Sequence, residues 1–96
     1  MKVHKKNILI KNDSGLHARP ASLFVQIANK YDCDITVKKG KQRVNGKSIM
    51  GIMMLAAEKG SKISIIANGD DAEEAVNELL GLIESESIED FNAKRK

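Results

Sequence analysis

The sequence predicts an α+β domain: a four-stranded, mainly antiparallel sheet covered on one face by three helices, in the order β-α-β-β-α-β-α. Three observations predict it. Short β-branched runs that alternate apolar and polar residues are bounded by Gly, Asn and Asp clusters. Two segments, one after the first of these runs and one after the last, have apolar residues that recur at helical spacing. Strands that bury one face need cover from one side only, and helices that bury one stripe supply it.

The first run, Val3 to Ile10, carries Val3, Ile8, Leu9 and Ile10 among lysines and ends at Asn12-Asp13-Ser14-Gly15, as a strand would. His4 on this strand has no acid or second histidine nearby in sequence and is read as a solvated or partly packed imidazole. From Ala18 to Lys30 the period changes. Ala21, Phe24, Val25 and Ala28 form one buried face, widened by Leu23 and Ile27, with Arg19, Ser22, Gln26 and Asn29 opposite.

Cys33 to Val37 alternates again, Lys39-Gly40 forms a turn, and Lys41 to Val44 completes a hairpin. Ser48 is placed to cap a short helix over Ile49 to Leu55. That helix is apolar nearly all the way round, with Ile49, Met50, Ile52, Met53, Met54 and Leu55. A small domain has few places to bury a helix on every side, so part of it is expected outside as a partner-binding patch. Methionine suits that role, because its flexible thioether adapts to different surfaces. Glu58-Lys59-Gly60-Ser61 turns the chain into a last strand, with Ile63, Ile65 and Ala67 on one side and Lys62, Ser64 and Ile66 on the other. Asn68-Gly69-Asp70-Asp71 turns into the cap of the last helix, whose stripe is Ala72, Ala75, Val76, Leu79, Leu80 and Ile83. One domain is expected over residues 1–86, followed by a polar tail over 87–96.

Composition bounds the function. Ninety-six residues support one domain, and with 42% apolar but 3% aromatic residues its core is mostly aliphatic. A net charge of +3 does not by itself call for nucleic acid. The aromatics, Phe24, Tyr31 and Phe91, fall off the expected strands, which argues against base stacking on the sheet. The single cysteine, Cys33, excludes an internal disulfide and fits a reducing compartment. With neither a secretory pattern nor a membrane-length apolar run, the chain is expected in the cytoplasm, without membrane insertion. His4, His17 and Cys33 lack metal-ligand spacing, and no metal or cofactor is expected. A Ser14/His17 hydrolase lacks both a nucleophile elbow and an orienting acid.

The chemistry concentrates in Ser14-Gly15-Leu16-His17-Ala18-Arg19-Pro20-Ala21-Ser22. Proline is tolerated in the first turn of a helix, so His17 falls at or just before a helix start. Unpaired amides and the helix dipole attract anions there, phosphate above all. The same positive end opposes an imidazolium, leaving a neutral, nucleophilic ring. Arg19 can bind phosphate oxygens in a fork. His17 and Arg19 are therefore the reacting pair, with Ser14, Ala18 and Arg19 as phosphate-holding candidates. Ser48, as a cap, is also a place where a phosphate would add about −2 charges beside the methionine patch and repel an acidic partner.

Gly15-Leu16-His17-Ala18-Arg19-Pro20-Ala21 resembles the active-site signature of HPr, the histidine-containing phosphocarrier family of the bacterial sugar phosphotransferase system. Lys47-Ser48-Ile49-Met50-Gly51, with Met53 and Leu55, resembles that family's second motif in its low-GC Gram-positive form. The likeness runs from about Val3 to Ile83, and Gly46 and Met54 depart from the family pattern.

The resemblance implies an open-faced β-sandwich and a carrier rather than an enzyme. His17 would take a phosphoryl group on Nδ1 from phospho-enzyme I and pass it to sugar-specific IIA domains, with Arg19 holding the phosphate. It implies regulatory phosphorylation of Ser48 by an HPr kinase/phosphorylase, a link to the catabolite control protein, and partner docking on Ile49, Met50 and Met53. A monomer is expected. The other reading is an HPr-like regulator, of catabolite control or of the nitrogen branch, acting through protein–protein binding.

Overall fold

A computed structural model describes residues 2–10, 18–55 and 57–84, giving for 18–20 the backbone path. Among these residues the order is β1 (Val3–Leu9), α1 (Ala18–Ala28), β2 (Asp34–Lys39), β3 (Gln42–Asn45), α2 (Ile49–Met54), β4 (Lys62–Asn68) and α3 (Ala72–Glu84). The strands form one antiparallel sheet in the order β1-β4-β2-β3, so the first and last strands in sequence are neighbours. The three helices cover one face, and the expected α+β open-faced sandwich is the fold observed.

Burial follows the pleat. In β4, Ile63, Ile65 and Ala67 are buried while Lys62 is exposed and Ser64 and Ile66 are half-buried. β2 repeats the pattern with Ile35 and Val37 inward. Phe24 and Ile27 of α1, Ile52 of α2, and Val76, Leu79 and Ile83 of α3 close over them. β1 is an edge strand carrying Val3 and Leu9 exposed and Ile8 half-buried, and Ile10, just beyond it, enters the core.

The structure corrects the sequence reading in both long helices. α1 ends at Ala28 rather than Lys30. The amides of Lys30 and Tyr31 reach back three residues, to Ile27 and Ala28, tightening the last turn. The buried face of α1 is Ala21, Phe24, Ile27 and Ala28, with Val25 only half-buried. Leu23-Phe24-Val25 and Ile27-Ala28 allow two stripes at helical period, and packing against α2 and α3 selects the one through Ile27. In α3, Leu82 is buried and Leu80 half-buried, the reverse of the expected weighting.

Two glycines sit where the chain presses on itself. A Cβ on Gly46 would meet Ile35 Cγ2 at 2.5 Å, and the Gly46 amide donates to the Ile35 carbonyl at 2.7 Å. Gly46 thus makes a close approach to β2. Gly69 has φ +154 and lies against Cys33, whose Cβ would stand 2.7 Å from an added Cβ. Residues 85–96, and with them the tail expected over 87–96, lie outside the described residues.

Candidate functional site

α1 begins at Ala18, the residue after His17 in sequence, with Pro20 inside its first turn. A helix start leaves its first amides without intrahelical acceptors, and no acid stands in this first turn to offset them. Ser14 and His17 lie outside the described residues. Of Ala18 and Arg19 the backbone is described, as the opening of α1.

The second motif is described in full. Ser48 has extended backbone (φ −109, ψ 120), and its Oγ accepts from the Gly51 amide at 3.1 Å. Its carbonyl accepts from the Ile52 amide at 3.0 Å, so Ser48 caps α2 as the sequence predicts. The turn before it is closed by Asn45, whose Oδ1 accepts from the Lys47 amide at 2.9 Å and whose carbonyl accepts from the Ser48 amide at 3.1 Å.

Lys47 ties this turn to the end of α1. Its Nζ donates to the Tyr31 carbonyl at 2.7 Å, while Asn29 Nδ2 donates to the Lys47 carbonyl at 3.4 Å. Tyr31 is itself held: its hydroxyl donates to Glu78 of α3 at 2.5 Å, beside the Lys30–Glu78 ion pair at 2.6 Å. Burial, then the Glu78 carboxylate, pushes the Tyr31 phenol up to about 12. Ser48 is thereby fixed in relation to α1 and α3. The partners lie 16 and 47 residues apart in sequence, so no local signal announces them.

Ile52 is fully buried, and Leu55, which follows the helix, is 1% exposed. Ile49 and Met53 stand about two-fifths exposed and Met50 and Met54 two-thirds. The expected apolar patch is thus present, and Met54 belongs to it, which the sequence reading did not single out. The signal was the excess apolarity of the whole helix. Met54 is anchored through its backbone, its carbonyl accepting from Gln42 Nε2 at 3.0 Å. His4, on β1, is half-buried, in line with its partly packed reading.

A helical layer on an open sheet, with a helix-capping serine and an exposed methionine patch beside the helix that follows His17, has the form of a small phosphoryl-carrier domain. The comparisons agree. Residues 4–85 match the family model described as the PTS HPr component phosphorylation site, and the chain belongs to the HPr family. It is 46% identical over 82 residues to the HPr-like protein Crh of Halalkalibacterium halodurans, covering 85% of this chain and 98% of that one. It is 48% identical over 79 residues to the phosphocarrier protein HPr of Neisseria meningitidis, covering 82% and 89%. The HPr structure from Thermoanaerobacter tengcongensis superposes with TM-score 0.83 at 52% identity, covering 86% of this chain and 93% of that one. Relatives of both kinds, HPr and Crh, have also been solved as dimers.

Proposed function

We propose that the chain is a phosphocarrier in which His17 accepts a phosphoryl group from phospho-enzyme I and passes it to sugar-specific IIA domains. The observation that carries this reading is the family match over residues 4–85, with α1 opening at Ala18 immediately after His17 in sequence. His17 attacks the phosphoryl group through Nδ1, forming an N–P bond as the donor's bond to phosphorus breaks. Arg19 and the first amides of α1 offset the charge on the phosphate oxygens, with Ser14 adding a hydroxyl. The carrier turns over no substrate of its own and works in the cytoplasm as a monomer, a state that sedimentation would test against the dimers solved for relatives.

Phosphorylation at Ser48 by an HPr kinase/phosphorylase is the proposed control. A phosphate there adds about −2 charges at the edge of the patch formed by Ile49, Met50 and Met53. It disfavours acidic partners and favours basic ones, such as a surface of the catabolite control protein.

The second reading is supported by the likeness to Crh, at 46% identity against 48% for HPr. In it the chain is a regulator acting mainly through Ser48. Labelled phosphoenolpyruvate with enzyme I separates the two. Acid-labile label on the wild type and none on His17→Ala establishes the carrier. No label on either folded protein, with Ser48 labelled by ATP and the kinase, leaves the regulator.

A further inference from the structure

The register of the sheet assigns its uncovered face. Val3, Lys5, Asn7 and Leu9 of β1 lie in line with Asn68, Ile66, Ser64 and Lys62 of β4. Thr36 and Lys38 of β2 continue the rows of Ile66 and Ser64, and Asn45 and Arg43 of β3 complete them. Two rows therefore cross the face, Lys5–Ile66–Thr36–Asn45 and Asn7–Ser64–Lys38–Arg43. Lys62 flanks them.

This face is basic. None of Lys5, Lys38, Arg43 and Lys62 forms an ion pair with a carboxylate of the described residues. Asp34, at one end, is the one acid that the described register places there. Carboxylates instead line α3 in the other layer, at Glu73, Glu74, Glu78 and Glu84. Lys38 and Arg43 are direct cross-strand partners. Like charges so placed repel and weaken the pairing, where threonine or serine would not. Lys41, in the adjoining turn, adds to the same positive edge.

We propose that this open face, centred on Lys38 and Arg43, docks an acidic surface of a protein partner, on the side of the sheet away from Ser48 and the methionine patch. Charge complementarity selects the occupant. The face carries no aromatic ring on which nucleic-acid bases could stack. Its apolar residues, Val3, Ile66 and Leu9, are interrupted by Lys5, Asn7 and Lys62 and offer no continuous stripe to lipid. The hydrogen bond from Ser64 Oγ to Asn7 Oδ1, 2.6 Å, holds two polar side chains in the row that Lys38 and Arg43 continue. A partner here can bind while α2 is engaged elsewhere.

The test is an amide-shift titration of the whole chain with poly-L-glutamate, compared with poly-uridylate and with phosphatidylglycerol vesicles. Shifts clustered on Lys5, Lys38, Arg43, Ser64 and Ile66 are expected, with affinity falling about tenfold in Lys38→Glu/Arg43→Glu. Lys2→Glu/Lys6→Glu makes the same change of net charge off this face and should cost less than about threefold. Lys38→Gln/Arg43→Gln, which removes the repulsion without reversing it, keeps the test valid if the glutamates unfold the hairpin. Equal losses in the on-face and off-face variants overturn the proposal, as do shifts centred on α2. So do tighter binding to RNA or vesicles than to polyglutamate, and self-association abolished by the Lys38/Arg43 variant, which would make α3 of a second copy the occupant.

Discussion

Asp71 holds Cys33 in place: Oδ1 accepts from the Cys33 amide at 3.0 Å while Oδ2 accepts from the Asp32 amide at 2.8 Å. The sequence suggests a helix-cap role for the 68–71 turn, yet the Asp71 carboxylate reaches across to the start of β2. These bonds favour the charged form and hold the Asp71 carboxyl below the usual carboxylate range. A lowered folded value means stability that is present above the ordinary carboxylate pKa, about 3.9, and lost as pH falls through the folded value. Asp71→Ala should lower Tm at neutral pH, and the gap from wild type should narrow as both are melted towards pH ~3. A gap independent of pH would refute the assignment.

The thiol at that place is buried. Burial first, and Asp71 second, push Cys33 up to about 11. Thiol alkylation at neutral pH should therefore be slow in the folded protein and rapid in denaturant. Labelling at the same rate in both would contradict the burial.

Tyr31 is the chain's one tyrosine, and there is no tryptophan, so phenolate absorbance reads it directly. Its midpoint should lie at about 12 in the folded protein. Glu78→Gln should bring it down, because the neutral amide removes the carboxylate's contribution. Since the folded value is raised, the stabilisation is complete below the ordinary phenol value of ~10 and disappears as pH rises through the folded value.

Ser48→Ala removes the cap of α2. It should cost about 1 kcal/mol, or roughly 4–8 °C in Tm. Ser48→Asp, which keeps an acceptor oxygen at the cap, should recover most of the loss. An alanine variant as stable as wild type would show that the Gly51 amide finds another acceptor.

Within α2, Met50→Ser and Ile52→Ala should separate docking from folding. Met50 is exposed, so its substitution should change stability by no more than about 0.5 kcal/mol while weakening transfer from phospho-enzyme I. Ile52 is fully buried, and truncating it should cost about 2–5 kcal/mol.

Gly69→Ala tests the close approach to Cys33. The backbone strain at φ +154 alone should cost about 1–3 kcal/mol. The contact with Cys33 adds to it, so urea melts should show a lower midpoint with unchanged slope.

The legible part of this molecule was local. β4 alternates at every position but Ile66, and Ser48 stands directly before an apolar run, so strand face and helix cap could both be read. The surplus of apolar residues in α2 announced the exposed patch, because a small core cannot enclose a helix all round. What stayed hidden was chosen by tertiary packing. α1 offered stripes through Val25 or Ile27, and its neighbours decided. The Lys47–Tyr31–Glu78 tether joins three elements and leaves no local trace. The basic face emerged only once the register aligned Lys38 with Arg43.

The pairing of Leu9 with Lys62 has a consequence for the order of assembly. Of the described strands β1 is made first, and its hydrogen-bonding partner is made last. At roughly 5–20 residues per second, β1 stands without that partner for several seconds. Meanwhile the β2–β3 hairpin can already close on itself. During synthesis β1 is thus a waiting segment, and the lysines at positions 5 and 6 keep it soluble until β4 arrives to accept it.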